Sequence, residues 1–568
     1  MNISLHRTRA QESRAAIQRL YIAMRHLFIR GGYKPLGVSG EAMINAMMEL
    51  RPEIYGVIAD PERVELEGLL YVFQRLPIGI EECRYIRLIS REGFEKSGFE
   101  PIVPSKRRRN CYRIDEEQML IEVTKGRSDI YDVLTHLTFL YIEAEKIRRN
   151  GLDSKNRQKR DYLNLRKIIG KEKAGGQFSK EVASTYLATL IGRTFDETFA
   201  AVEKFEEASD VNSLFHIIYY LGKLAIEEAV DDNDREITFS SALREKIGHH
   251  IYGELWADNI KEFIYKKNWF DRPIHIISSN PHSVMNSLYA HAAIEEAEGM
   301  GLKELAAELS LPENSGWRKA VEEYAHENGM CQLEDSSGTN LTVQIFDTTK
   351  IDVAKLPAAI SWTQDFINNN KPVLVVMDYA FGEQAYEVMD ELLKPFEPVP
   401  DEKIPMNIAS ISIMGKAGIL MGGKGDIMVP TAHVFEGTAD NYPFENDFTA
   451  KDFEENGLGV CEGPMITVLG TSLSNKDILR YFLKSSWEAI GLEMEGAHYQ
   501  KAIQAASKIR NSIDPNVRLR YAYYASDNPL VTGHTLASGA LGVDGVKPTY
   551  LITVKILNKI ALENSGGN

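Results

Sequence analysis

Three acids in this 568-residue chain stand where their type and spacing could do chemistry. In Gly491-Leu-Glu-Met-Glu-Gly-Ala-His-Tyr-Gln500, an apolar-rich approach ends in Glu493 and Glu495, with Met494 between them. Gly496 then opens a segment whose apolar residues, Ala497, Ile503, Ala506 and Ile509, have a spacing that suits a helix. The pattern predicts a strand running into a helix with an acid at the junction, the edge of an α/β sheet where ligands bind. A carboxylate there accepts two hydrogen bonds, which suits a vicinal diol. Further on, Tyr521-Ala-Tyr-Tyr-Ala525 reads as a buried strand ending in Ser526-Asp527-Asn528-Pro529, which places Asp527 near the same rim. Either acid alone is more simply a helix cap or a turn residue. Two acids that each end a strand point to a site.

These residues resemble a family. Glu-Met-Glu-Gly followed by Ser-Asp-x-Pro-Leu is similar to the purine nucleoside phosphorylase and nucleosidase superfamily, and the Ser-Asp-Asn-Pro-Leu form is most similar to AMP nucleosidases. The resemblance implies that Glu495 grips the ribose hydroxyls, that Met494 packs on the sugar with Glu493 and Ser526 beside the site, and that Asp527 protonates the leaving purine. Such an acid works best with a pKa raised toward working pH by partial burial.

The elements that would carry this site begin at Pro273. Ile274-His-Ile-Ile-Ser278 predicts a strand, and Ser279-Asn-Pro-His-Ser283 a turn into a helix from Val284 to Glu296. In the family this turn carries an Arg that holds phosphate, where this chain has Ser283, and His282 is the sole titratable group of the turn. Strands are expected over Leu341 to Asp347, Pro372 to Asp378 and Asn407 to Met414. Gly382, after the second of these, allows close approach of a ligand and matches part of the family's Gly-x-Gly loop, with Ala380 at its first position. The third is expected to end in a turn, Gly415-Lys-Ala-Gly418, whose amides form an anion-binding concavity. Gly415, Lys416 and Gly418 are therefore candidate binding residues, Lys416 being the cation in the matching turns. The family's second phosphate-binding Arg is replaced by Ile413. After Gly463-Pro-Met-Ile-Thr-Val-Leu-Gly-Thr-Ser-Leu473, Leu473 is the counterpart of residues that face the nucleobase. A terminal helix is expected over Pro548 to Leu562.

The N-terminal half reads differently. Residues 1–150 and 151–270 are expected to be two mainly helical regions, and 271–568 a phosphorylase/hydrolase-like α/β domain with a mixed sheet. Asp132 and His136 share a helix face at a spacing metal sites use, but a structural hydrogen bond is the simpler reading, and no metal or cofactor is expected. Four cysteines lie far apart, without a zinc or disulfide spacing. A net charge of −16 argues against a nucleic-acid partner. No apolar run is long enough to span a bilayer and no signal peptide is evident, so a cytoplasmic location is expected. The expected function is cleavage of an N-glycosidic bond in a purine nucleoside or nucleotide by water, the ligand being a small molecule. The alternatives are a sensor that binds such a ligand and a phosphorolytic enzyme. By analogy with the family the chain is a homo-oligomer.

Overall fold

The computed structural model describes residues 8–107, 109–438, 440–454, 457–532 and 542–562. The chain divides into two compact units, one running to His249 with Ser472–Ile478 added, the other holding His250–Thr471 and the residues from Leu479 on.

The first unit is mainly helical but also holds a five-stranded sheet that the sequence reading did not anticipate. Its strands are β1 (Gly32–Tyr33), β2 (Tyr85–Ile89), β3 (Cys111–Arg113), β4 (Gln118–Glu122) and β5 (Glu236–Phe239), in the order β1-β5-β2-β4-β3. Strands of two to five residues are too short for a period-two pattern to declare itself. The helix that carries Asp132 and His136 is Gly126–Gly151. On it His136 Nε2 lies 3.5 Å from Asp132 Oδ1, and Arg109 lies 3.2 Å from the other Asp132 oxygen. Asp132 thus stands in a buried arginine–aspartate–histidine cluster. Ser472–Ile478 joins this unit through Ser474, whose carbonyl accepts from Glu53 N (2.9 Å), and Asn475, whose Nδ2 donates to Leu50 O (2.8 Å).

The division falls at His249/His250, and not near 271, because helix Ile251–Lys266 buries Trp256, Ala257, Ile260 and Ile264 in the core of the second unit. The pattern switch at Pro273 marks where strands begin, not where the unit begins. Residues 8–249 cluster together, without a break at 150.

The second unit is the expected mixed-sheet α/β domain. Its strands are β6 (Ile274–Ser278), β7 (Met330–Leu333), β8 (Val343–Asp347), β9 (Val373–Met377), β10 (Ile408–Ile419), β11 (Ile427–Phe435), β12 (Asn441–Pro443), β13 (Val460–Thr467), β14 (Gly491–Glu493) and β15 (Arg518–Asp527). Pairing of β10 with β15, β15 with β11, β11 with β13, β13 with β14 and β14 with β10 closes a five-strand ring. From β10 an open wing continues through β6, β9, β8 and β7.

Alternate residues of the wing strands enter two cores. Val373, Val375 and Met377 join the helices Ile251–Lys266 and Gln384–Leu392 on one face, while Leu374 and Val376 face Pro281–Ala293 and Val546–Leu562 on the other. Strands covered on both faces read as continuous apolar runs, which is why Val373–Met377 was legible.

Candidate functional site

The register of β10 gathers the site. The wing strands end beside its middle, Ser278 of β6 pairing with Ile413 and Met377 of β9 with Ser278. Further along, Gly418 pairs with Asp527 of β15 on one side and Leu492 of β14 on the other. Adjacent strands are about 4.8 Å apart, so the two chain segments that carry the acids flank one residue at about 10 Å separation. The loops after β6, β9 and β14 meet at carboxyl ends of strands, where an α/β sheet takes its ligands, while Asn528 after β15 donates to Gly422 O (3.2 Å).

Glu495 sits at the N-terminus of helix Gly496–Gln504 and is 7% exposed. Its Oε1 accepts from Gly382 N (2.9 Å) and its Oε2 from Met494 N (3.2 Å). The structure therefore joins two residues read separately from the sequence, and the left-handed φ of +55° at Gly382 lets its amide reach the acid. Met494 is buried beside it. Asp527 is 8% exposed, and its Oδ1 accepts from Ser526 Oγ (2.6 Å).

Glu493 has other duties. One of its oxygens accepts from the backbone of Glu495 and Gly496, the other from Thr467 Oγ1, which in turn accepts from Ala497 N (2.9 Å). Together Glu493 and Thr467 satisfy the first donors of the helix. Gly496 must be glycine here, because a Cβ would lie 2.3 Å from the His433 ring. Burial outweighs the hydrogen bonds and pushes Glu493 up from the ordinary 4.5 to about 7. The folded chain then holds this proton through a range where the unfolded chain has lost it, so stability falls as pH rises from 4.5 to 7. The slope from one such group reaches about 1.4 kcal/mol per pH unit. Glu493→Gln keeps an acceptor for the amides and is expected to flatten that slope. Denaturant unfolding at pH 5, 6 and 7.5 checks it, and equal slopes in both proteins would remove Glu493 as the cause.

Tyrosines that the sequence reading passed over hold the loops together. The Tyr499 hydroxyl bonds to Ser278 Oγ (2.8 Å) and accepts from Ala380 N (3.1 Å), tying the helix to the loops after β6 and β9. Tyr379 packs on Gly415 so closely that a Cβ there would lie 2.7 Å from its ring. Tyr523 meets His433 Nε2 at 3.2 Å, and burial lowers that histidine to about 3, which keeps it neutral. The alternation Tyr521, Tyr523, Asp527 along β15 was the available signal, since a buried phenol asks for a partner.

One expected element is corrected. Gly415–Gly418 is not a turn. The strand continues to Ile419, its backbone pairing with β15 from Gly415 to Gly418, with a register shift between Ala417 and Gly418. Small residues at Gly415, Ala417 and Gly418 suggested a turn, but they accommodate packing and a bulge instead. Lys416 is exposed on that strand. His282 is exposed at the start of helix Pro281–Ala293, where Asn280 Oδ1 accepts from its amide (3.0 Å). Leu473 is buried in the short segment that belongs to the first unit.

The fold and the gathered acids define a mixed-sheet α/β protein with a carboxylate-bearing rim. The chain belongs to the family described as "Family of unknown function (DUF6909)", whose model matches residues 41–308 and 308–562. No curated protein matches it in sequence. Similar solved structures include a futalosine hydrolase mutant of Helicobacter pylori strain 26695, at 11% identity and TM-score 0.29, covering 51% of this chain and 99% of that one. Campylobacter jejuni 5′-methylthioadenosine/S-adenosyl homocysteine nucleosidase has 11% identity and TM-score 0.31 over the same shares of the two chains. AMP nucleosidase from Bacteroides thetaiotaomicron VPI-5482 has 14% identity and TM-score 0.29, covering 55% of this chain and 99% of that one. Among the described residues no helix is long and apolar enough to cross a membrane.

Proposed function

We propose that the chain hydrolyses the N-glycosidic bond of a purine nucleoside or nucleotide, with Glu495 and Asp527 as catalytic residues. The observation that carries this reading is the register across Gly418, which sets the Glu493–Glu495 and Asp527 segments at one rim. As the bond breaks, positive charge grows on the ribose and negative charge on the base. Asp527 gives its proton to the departing purine, and the carboxylate of Glu495 holds the ribose hydroxyls and faces the cationic sugar. Water adds to the anomeric carbon and releases its proton to solvent, from which Asp527 is reprotonated, leaving free base and free sugar.

Water is favoured over phosphate by what stands at the two positions where the resembling family has arginines. Ile413 is fully buried, and the Ser283 hydroxyl donates to Asn280 O (2.8 Å) and meets Thr553 Oγ1 at 3.0 Å. Stripping water from a phosphate dianion is costly unless fixed cations replace it, and neither residue can. Lys416 would meet a phosphate that is part of the substrate, which makes a 5′-nucleotide such as AMP the finer reading.

Incubation with a panel of nucleosides and 5′-nucleotides, with and without phosphate, tests the reading. Free purine with ribose or ribose 5-phosphate is expected. A sugar 1-phosphate, with a rate that saturates in added phosphate, would overturn hydrolysis. Thermal stabilisation without any turnover would make the chain a sensor.

A further inference from the structure

On the same helix as Glu495, but away from the rim, lies a cavity of about 510 Å³. That volume lies within the range of small-molecule sites. It is walled by helix Gly496–Gln504, the π-helical turn Ala505–Ile509 that follows it, the segment 444–447 and the start of β15. π-Turns gather at functional sites, because the extra residue re-aims the side chains on either side.

Its inner wall carries Gln500, only 1% exposed, whose Oε1 has no hydrogen-bond partner among the described residues. Buried amide oxygens are almost always satisfied, so this one marks a place for a donor. Phe444 and Ile503 supply apolar wall, and Phe444 is itself held in a stack on His433 (5.2 Å, 10°). At the mouth stand two exposed cations, Lys508 and Arg518, against one exposed acid, Glu445. The other acid, Asp447, is already matched by Arg520 (2.8 Å) and Lys559 (3.8 Å). The cavity is therefore polar and amide-like inside, with a flat aromatic wall and surplus positive charge at its entrance.

We propose that this cavity is a second small-molecule site, taking an anion that bears a planar edge with adjacent hydrogen-bond donor and acceptor, the chemistry of a 5′-mononucleotide. The planar part lies against Phe444 with its edge on the Gln500 amide, and the anionic part meets Lys508 and Arg518. The site does not depend on the reaction proposed above.

Titration calorimetry of the full-length Glu495→Gln protein with inosine 5′-monophosphate favours this site, because that background weakens the rim and slows turnover there. Binding is expected to persist, to weaken up to about tenfold on adding Gln500→Leu, the worth of a neutral amide bond, and at least about tenfold on adding the pair Lys508→Glu/Arg518→Glu, the worth of a charge-assisted one. Hypoxanthine and inorganic phosphate, offered separately, are expected to bind at least about tenfold more weakly than the nucleotide. Both cations are exposed, so an unchanged melting temperature shows that the charge-reversed pair still folds. Affinity indifferent to those changes, no binding in the Glu495→Gln background, or phosphate binding as well as the nucleotide would each overturn the proposal. A chain that cleaves no substrate yet binds through Lys508 and Arg518 would leave it standing.

Discussion

Asp527→Asn is expected to lower turnover by about 10²–10⁴-fold, the usual worth of a general acid, while leaving the fold and ligand affinity nearly unchanged. The substitution preserves size, and the amide oxygen can still accept from Ser526 Oγ as Oδ1 does now. What is lost is the transferable proton. Because Asp527 ends β15 beside Gly418, the change disturbs no ladder bond of the ring. Turnover and dissociation constant measured on the same folded sample separate the two effects. Unchanged turnover would take Asp527 out of the mechanism, and a matching loss of affinity would make it a binding group.

Glu495→Gln is expected to cost a comparable amount in kcat/KM. A hydroxyl bonded to a carboxylate contributes about 1.5–3 kcal/mol, so two such bonds account for about 10²–10⁴-fold. The variant must also share one amide oxygen between the Gly382 and Met494 N–H groups, which now have an oxygen each. Substrates lacking the 2′- or 3′-hydroxyl distinguish these causes. In the native chain each deletion should be costly, and in Glu495→Gln most of that cost should vanish. If the deoxy penalties stay the same in both proteins, Glu495 does not hold the sugar.

The sequence was most informative where one physical demand acts on consecutive residues. β9, covered on both faces, had to be apolar throughout, β6 nearly so, and their ends were placed to within a residue or so. The acids were legible because each follows such a run. Register was not legible, since which residue of β10 meets Asp527 depends on pairing across about a hundred residues. For the same reason Gly415–Gly418 read as a turn, its glycines answering to Tyr379 and to a bulge that no local pattern announces. Glu493 and Glu495 are two residues apart with the same side chain, and only the fold gives one to the helix amides and the other to the rim. The small sheet of the first unit and the tyrosine ties were missed on similar grounds, short strands carrying too few positions and a phenol reading as one more apolar residue.

The closed ring also has a meaning in time. β10 begins at Ile408, but the partner that closes the ring, β15, does not start until Arg518, the last strand among the described residues. A growing chain must therefore carry an unpaired β10 edge through the synthesis of more than a hundred residues. Contacts this distant in sequence are slow to form, because loop closure must precede any gain from pairing. Asp527 is the final residue of that strand. The acid thus arrives with the closing strand, and an unfinished or misclosed chain lacks the group on which the chemistry depends.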